Sequence, residues 1–407
     1  MRRKLRLPIV LVAAVVVAEA AVLLMRPRDR GPEPVPVDPR AYFSPAQIEK
    51  GDTFRSGQLW LFGLRVAVEL TVLVVLVRRP PAILTRDFRR PVAAGAAAAA
   101  ALSVTLAVAT LPVSVASRQR AREVGLVTQG WGGYAWDWVR SQAIGAVLAA
   151  GGGALLLVMM RRFGPRWWAP GTILVVAYGV VITIAAPVVL DPIFNTFKPL
   201  PQGELRSDVL ALARRAGVDV GQVYEVDASR RTTGANAYVA GLGRTKRVVI
   251  YDNLIEDFPP DETRLVVAHE LGHVHFRDVP RGLLWLAIVA PFGVLAVATL
   301  SRRLAPEGAE GTPAVLPAVA LSLAIVTPVI MCVSNQLSRQ VEQRADAYAM
   351  ELTQDAEAQI DFERRIAITN VADVDPPDWA HFLLGTHPTT LERIGAGVAF
   401  EREQRGG

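Results

Sequence analysis

The chain has 407 residues, 51% of them hydrophobic and 20% charged, with a formal net charge of +6 and a mean hydropathy of +0.30. That balance fits an integral membrane protein better than a soluble enzyme. The basic excess does not point to nucleic acid, because the arginines gather at the ends of apolar runs (Arg78-Arg79, Arg161-Arg162, Arg302-Arg303), where they anchor membrane boundaries.

Seven apolar stretches are long enough to span a bilayer, which takes about twenty helical residues. They lie near Pro8–Met25, Trp60–Val77, Pro91–Ala116, Gln142–Met160, Ala169–Leu190, Leu283–Leu300 and Ala314–Val333. The basic start, Met1 to Arg6, gives the first stretch the look of a signal peptide, but its apolar run is long and no small-x-small cleavage site follows. It is expected to remain as a membrane helix. The third stretch is rich in alanine from Ala93 to Ala101, which suits close helix packing. Glu19 lies in the first stretch, and Arg65 and Glu69 lie one helical turn apart in the second. Charges at that depth form an interhelical salt bridge or face a wet cavity. Residues 1–190 are therefore expected to be an N-terminal membrane domain of five helices.

Between the first two stretches, Pro34–Ser56 begins proline-rich and stays polar, predicting a loop outside the bilayer. The largest soluble segment, Asp191–Arg281, predicts a helix over Leu205–Ala216 and strands at Gln222–Val226, Ala237–Ala240 and Arg247–Tyr251. A further helix is expected over Asp261–Phe276, with Asp261 as its N-cap after Pro259-Pro260. Beyond the last apolar stretch, Ser338–Leu352 has a helical pattern, followed by a polar C-terminal region with further helices. The lone Cys332 excludes a disulfide framework and a cysteine-based zinc site.

The Asp261–Phe276 segment carries the most informative motif, His269-Glu270-Leu-Gly-His273. Three of the five histidines in the chain fall within seven residues here. Residues four apart share a helix face, so His269 and His273 can grip one metal ion, and Glu270 can reach a water bound to it as general base. A catalytic zinc usually takes three protein ligands and a water. Few histidines remain, so the third ligand is expected to be a carboxylate. Glu342 is the leading candidate, because Asp346 follows one turn later and could orient a ligating histidine. Spacing leaves Glu351 and Glu363 as competitors, and it leaves open that Glu342 to Asp346 is a solvated face paired with Arg339 and Arg344.

The combination of His269-Glu-Leu-Gly-His273 with Glu342-Gln-Arg-Ala-Asp346 resembles the integral-membrane zinc metalloproteases of the CAAX prenyl endopeptidase type, and in the catalytic part the HtpX-type proteases. Asn236-Ala-Tyr-Val-Ala-Gly241, Arg247 to Leu254, Thr386-His387-Pro to Ile394 and the Gly125–Asp137 loop are similar to segments of that family. So is the order of five spans, the zinc motif, two spans and the distal glutamate. The resemblance covers about Gly51 to Arg393. It implies a mainly α membrane protein with about seven membrane helices and a zincin-like α+β metalloprotease region over residues 191–407, which includes the last two spans.

The same resemblance implies one zinc ion per chain on His269, His273 and Glu342, with Glu270 as base. It implies that His387 and Arg393 stabilise the oxyanion or hold the substrate backbone, and that Asn236, Ala237 and Tyr238 bind the substrate as an edge strand. His275 and His381 receive no role. The expected function is a zinc endopeptidase in the cell membrane, multi-pass, acting on peptide or protein substrates that include membrane-associated ones, with the bilayer as its other partner and no nucleic acid. An HtpX-like quality-control protease is the alternative enzyme. A non-hydrolytic scaffold or transporter with a structural zinc is the alternative of another class; the intact Glu270 argues against it. Basic residues place the active site on one side by the positive-inside rule, and the family likeness places it on the other, so sequence leaves the side open.

Overall fold

The computed structural model describes residues 6–241 and 246–406. The basic Met1–Leu5 lies outside the described residues. Helix α1 (Arg6–Met25) leads into an extended segment and a short α2 (Pro39–Tyr42). Three long helices follow, α3 (Pro45–Arg78), α4 (Pro91–Glu123) and α5 (Trp131–Phe163), then α6 (Trp168–Ala185) and a short α7 (Asp191–Phe194). The described residues contain seven helices long and apolar enough to cross a membrane, at the seven places the hydropathy predicts. They are longer than their apolar runs, because backbone hydrogen bonds continue through flanking polar residues.

The Pro34–Ser56 loop shows this directly. Helix begins at Pro45, where the Ser44 hydroxyl accepts from the Gln47 N–H and the Gln47 amide accepts from the Ser44 N–H. That capping box, with proline in the first turn, starts the helix well outside the apolar run, so the expected loop ends at Ser44. The outer part of α3 docks on the C-terminal region. A Cβ on Gly51 would lie 2.1 Å from the Ala372 carbonyl oxygen, and Arg55 donates to the carbonyls of Val371 and Asn370 at 3.0 and 2.8 Å. Gly51→Ala should therefore destabilise the protein by about 1–3 kcal/mol, the usual cost of overpacking. A thermal unfolding midpoint unchanged from wild type would contradict this contact.

Strand β1 (Phe197–Pro199), helix α8 (Glu204–Arg215) and strands β2 (Gln222–Val226), β3 (Ala237–Ala240) and β4 (Arg247–Tyr251) come next. The sheet order is β1-β2-β4-β3, with β2 parallel to β4 and the other pairs antiparallel. Val248, Val249 and Ile250 of β4 are fully buried, as a central strand requires. Helix α8 buries Val209, Leu212 and Ala213 in the same core. After α9 (Asp252–Asp257) comes the motif helix α10 (Pro260–His275). Its N-cap is Pro259, not Asp261, which lies in the first turn and favours the positive helix end.

Helix α11 (Asp278–Leu304) follows α10 after a tight turn at Arg277, whose φ of 57° reverses the chain. Helix α12 (Leu316–Thr353) is one continuous element of 38 residues. The helix expected over Ser338–Leu352 is its outer half, continuous with the last span. The chain closes with α13 (Ala356–Thr369), α14 (Asp378–Leu384) and α15 (Thr390–Gly406). Helix α1 packs against α11 and α12, while α4 packs on both α3 and α5, and α6 on α11. The Gly125–Asp137 loop joins the membrane helices to the sheet region. Val127 bridges Thr232, and Asp137 pairs with Arg231 at 2.8 Å, a few residues before β3.

Candidate active site

The site lies where α10, α12 and the start of α15 meet, beside β3. Four-residue spacing on α10 stacks His269 and His273 on one face, with their rings 4.8 Å apart and nearly perpendicular. Helix α12 crosses α10 and delivers Glu342 to the same point. His269 Nε2 lies 3.1 Å from His273 Nε2 and 3.2 Å from Glu342 Oε2, and His273 Nε2 lies 3.7 Å from Glu342 Oε1. The other candidate carboxylates are elsewhere: Glu351 lines a different cavity, and Glu363 sits behind the site on Arg393.

The other ring nitrogens decide what these three groups can hold. His269 Nδ1 lies 2.8 Å from Asp346 Oδ1, and His273 Nδ1 lies 3.0 Å from Asp278 Oδ2. Each carboxylate accepts a ring N–H, which leaves lone pairs on both Nε2 atoms. Those lone pairs face each other beside Glu342 Oε2, a buried oxygen with no hydrogen-bond partner. Two lone pairs and a buried carboxylate oxygen that makes no hydrogen bond form a repulsive cluster unless a cation sits among them. The 3.1 Å separation suits a tetrahedral zinc, whose bonds of about 2.0–2.1 Å to nitrogen set ligand atoms about 3.3 Å apart. The three residues therefore fit the ion.

Glu270 points into a cavity of about 310 Å³ lined also by Asn236, His269, Asp346, His387 and Arg393. Its carboxylate makes no hydrogen bond or ion pair among the described residues, and burial raises its pKa above the ordinary carboxylate value. His387 brings Nε2 to 3.3 Å from Glu342 Oε2 with its side chain 56% exposed, so it stands at the solvent edge of the cluster. Arg393 is buried deeper. Its Nε and Nη2 grip Asp346 at 2.8 and 2.6 Å, and its Nη1 pairs with Glu363 at 2.8 Å.

Asn236 is exposed at the cavity, while the Ala237 side chain is buried. Tyr238 donates its hydroxyl to Asp191 at 3.0 Å. His275 stacks on Tyr348, and its Nδ1 lies 3.0 Å from the Ala216 carbonyl. His381 Nε2 lies 2.9 Å from the His387 carbonyl and supports the loop that carries it.

Comparison with known proteins places this site in a family. The sequence model of peptidase family M48 matches residues 199–397, and the model of the CAAX prenyl protease N-terminal region, with five membrane helices, matches residues 59–196. The chain belongs to peptidase family M48. It is a membrane-embedded metalloprotease of the CAAX prenyl protease group. The uncharacterized metalloprotease YhfN of Bacillus subtilis is 27% identical over 88% of this chain and 87% of its own length. The CAAX prenyl protease 1 homolog of Arabidopsis thaliana is 35% identical over 42% of each chain. The crystal structure of S. mikatae Ste24p superposes with a TM-score of 0.79 over 98% of this chain and 99% of that one, at 20% identity, so the two share a fold.

Two residues of this M48 site escape sequence reasoning. Asp278 orients His273, and it also receives the Nη2 of Arg344, a residue only 6% exposed. The solvated face considered for Arg344 is thus a buried ion pair behind the metal site. The one signal in sequence was an acidic residue five positions after His273, which has no meaning until the Arg277 turn folds it back. Asp278→Asn should weaken zinc affinity by about 10–100-fold, the usual effect of losing an orienting partner. Competition with a chelator measures it, and an unchanged affinity would remove Asp278 from the site.

Proposed function

We propose that this M48 protein hydrolyses peptide bonds with one zinc ion held by His269, His273 and Glu342, and that residues 191–407, including the two later spans, form its peptidase unit. The observation that carries the proposal is the buried Glu342 Oε2, without a hydrogen bond among the described residues, beside two imidazole lone pairs. Zinc, when bound, polarises a carbonyl and lowers the pKa of a water it holds from about 15.7 toward 7.

The chain supplies the rest. Glu270, whose carboxylate makes no hydrogen bond or ion pair among the described residues, takes the proton of the attacking water and passes it to the leaving amine. His387, exposed at the rim, donates to the developing oxyanion. Arg393 spends all three nitrogens on Asp346 and Glu363; it is a positioning residue that holds Asp346, which in turn holds His269. In the described sheet the free edge of β3 offers the backbone of Asn236 to Tyr238 to an extended peptide.

The CAAX prenyl protease relatives and the seven membrane helices support a membrane-associated substrate with a prenylated C-terminus. A damaged membrane protein is the competing substrate. Purified protein in lipid discs should cleave a prenylated peptide in a chelator-sensitive way and faster than an unfolded membrane protein. The reverse preference would favour quality control. No chelator-sensitive cleavage of either would leave a zinc-binding scaffold.

A further inference from the structure

Four arginines gather where the first membrane helix ends. Arg26 and Arg28 stand on the segment after α1, Arg281 on the first turn of α11 and Arg344 on α12, around a cavity of about 560 Å³. The segment is held in place by close approach to α12: a Cβ on Gly31, at φ +74°, would meet the Ala347 Cβ at 2.4 Å. Arg26, Arg28 and Arg281 are exposed, and their side chains form no ion pair or hydrogen bond among the described residues. Arg344 is buried. Its guanidinium lies 4.1 Å from the centroid of the Phe276 ring and reaches Asp278, yet its Nε has no acceptor.

Two carboxylates, Asp29 and Glu351, line the same cavity, so the arginines keep the charge excess. Asp29 turns one oxygen to its own loop, accepting from the Gly31 N–H at 3.5 Å. Beside the arginines, Leu24 is 84% and Leu284 55% exposed. A buried donor without an acceptor, three unpaired cations and exposed leucines thus meet at the boundary of a membrane helix. Arginine forks match phosphate oxygens, and leucines at that depth match acyl chains.

We propose that this cavity binds the phosphate headgroup of an anionic phospholipid, with its acyl chains along Leu24 and Leu284. Inorganic phosphate shares the headgroup chemistry, but it has no use for the leucines. The full chain is tested in discs of phosphatidylcholine with and without phosphatidylglycerol. Native mass spectrometry should find phosphatidylglycerol retained by the wild type, and at least tenfold weaker retention by R28A/R281A. R28K/R281K should keep most of it. Both arginines are exposed and unpaired, so the variants should fold. Equal retention by wild type and R28A/R281A overturns the proposal. So does a rise in thermal midpoint with inorganic phosphate alone, in phosphatidylcholine discs, equal to that given by phosphatidylglycerol, since it would assign the site to a soluble anion.

Discussion

Glu270→Gln should leave the zinc content of the protein unchanged and lower kcat/KM for peptide cleavage by about 10²–10⁴-fold, the usual contribution of a positioned general base. The amide has nearly the size of the carboxylate, so packing of α10 is preserved while the proton acceptor is lost. Glu270 is not a metal ligand in the proposed geometry, and its carboxylate makes no hydrogen bond or ion pair among the described residues, so the ion should stay. The pH profile adds a second test. Burial raises the pKa of Glu270. The base is lost as pH falls through this raised pKa, so the acidic limb of the wild-type profile should lie above the ordinary glutamate value of about 4.3. That limb should vanish from whatever activity the variant retains. A variant with wild-type turnover would remove Glu270 from the chemistry.

Arg393→Ala should cost about 3–5 kcal/mol of stability, the usual penalty for breaking a buried ion pair on one side. Asp346 and Glu363 are each only 2% exposed, and Arg393 is their shared cation. Without it two carboxylates remain close together with no compensating charge. The damage should extend to the metal, because Asp346 is also the group that orients His269. Thermal unfolding with and without zinc measures both effects. Arg393→Lys should recover part of the stability, since a single ammonium cannot grip Asp346 with two donors and reach Glu363 as well. An unfolding midpoint for the alanine variant equal to wild type would show that the network contributes nothing.

What sequence could reveal divides along a physical line. Strands β2, β3 and β4 begin and end where alternation and turn residues predict, and the two histidines of α10 share a face by helical periodicity alone. These are local properties. Helix α12 runs from its apolar stretch straight through Ser338–Leu352, because a change from apolar to polar composition marks the edge of the bilayer, not the end of a helix. The start of α3 at Pro45, inside the expected loop, has the same cause. Asp278, Arg344 and Glu363 were illegible as site residues, or were read otherwise, because each acquires its role from a partner far away in sequence: Asp278 with Arg344, Glu363 with Arg393. Spacing leaves Glu363 as a competitor of Glu342 even though Asp346 follows Glu342 one turn on, and the crossing of α10 and α12 brings Glu342, not Glu363, to the two histidines.

The unbroken run of α12 makes a ligand carboxylate part of the same lever that stands in lipid. Glu342 lies fourteen residues beyond Pro328, the proline inside this helix, which is about 21 Å at 1.5 Å per residue; tilting that arm by about 5° would swing its tip by about 2 Å. Metal–ligand bonds tolerate only about 0.2 Å. Bilayers thinner or thicker than the apolar spans make helices lean, so host-lipid chain length should tune how long the ion is held under chelator challenge. Identical release rates in short-chain and long-chain bilayers would show that the arm is braced against leaning.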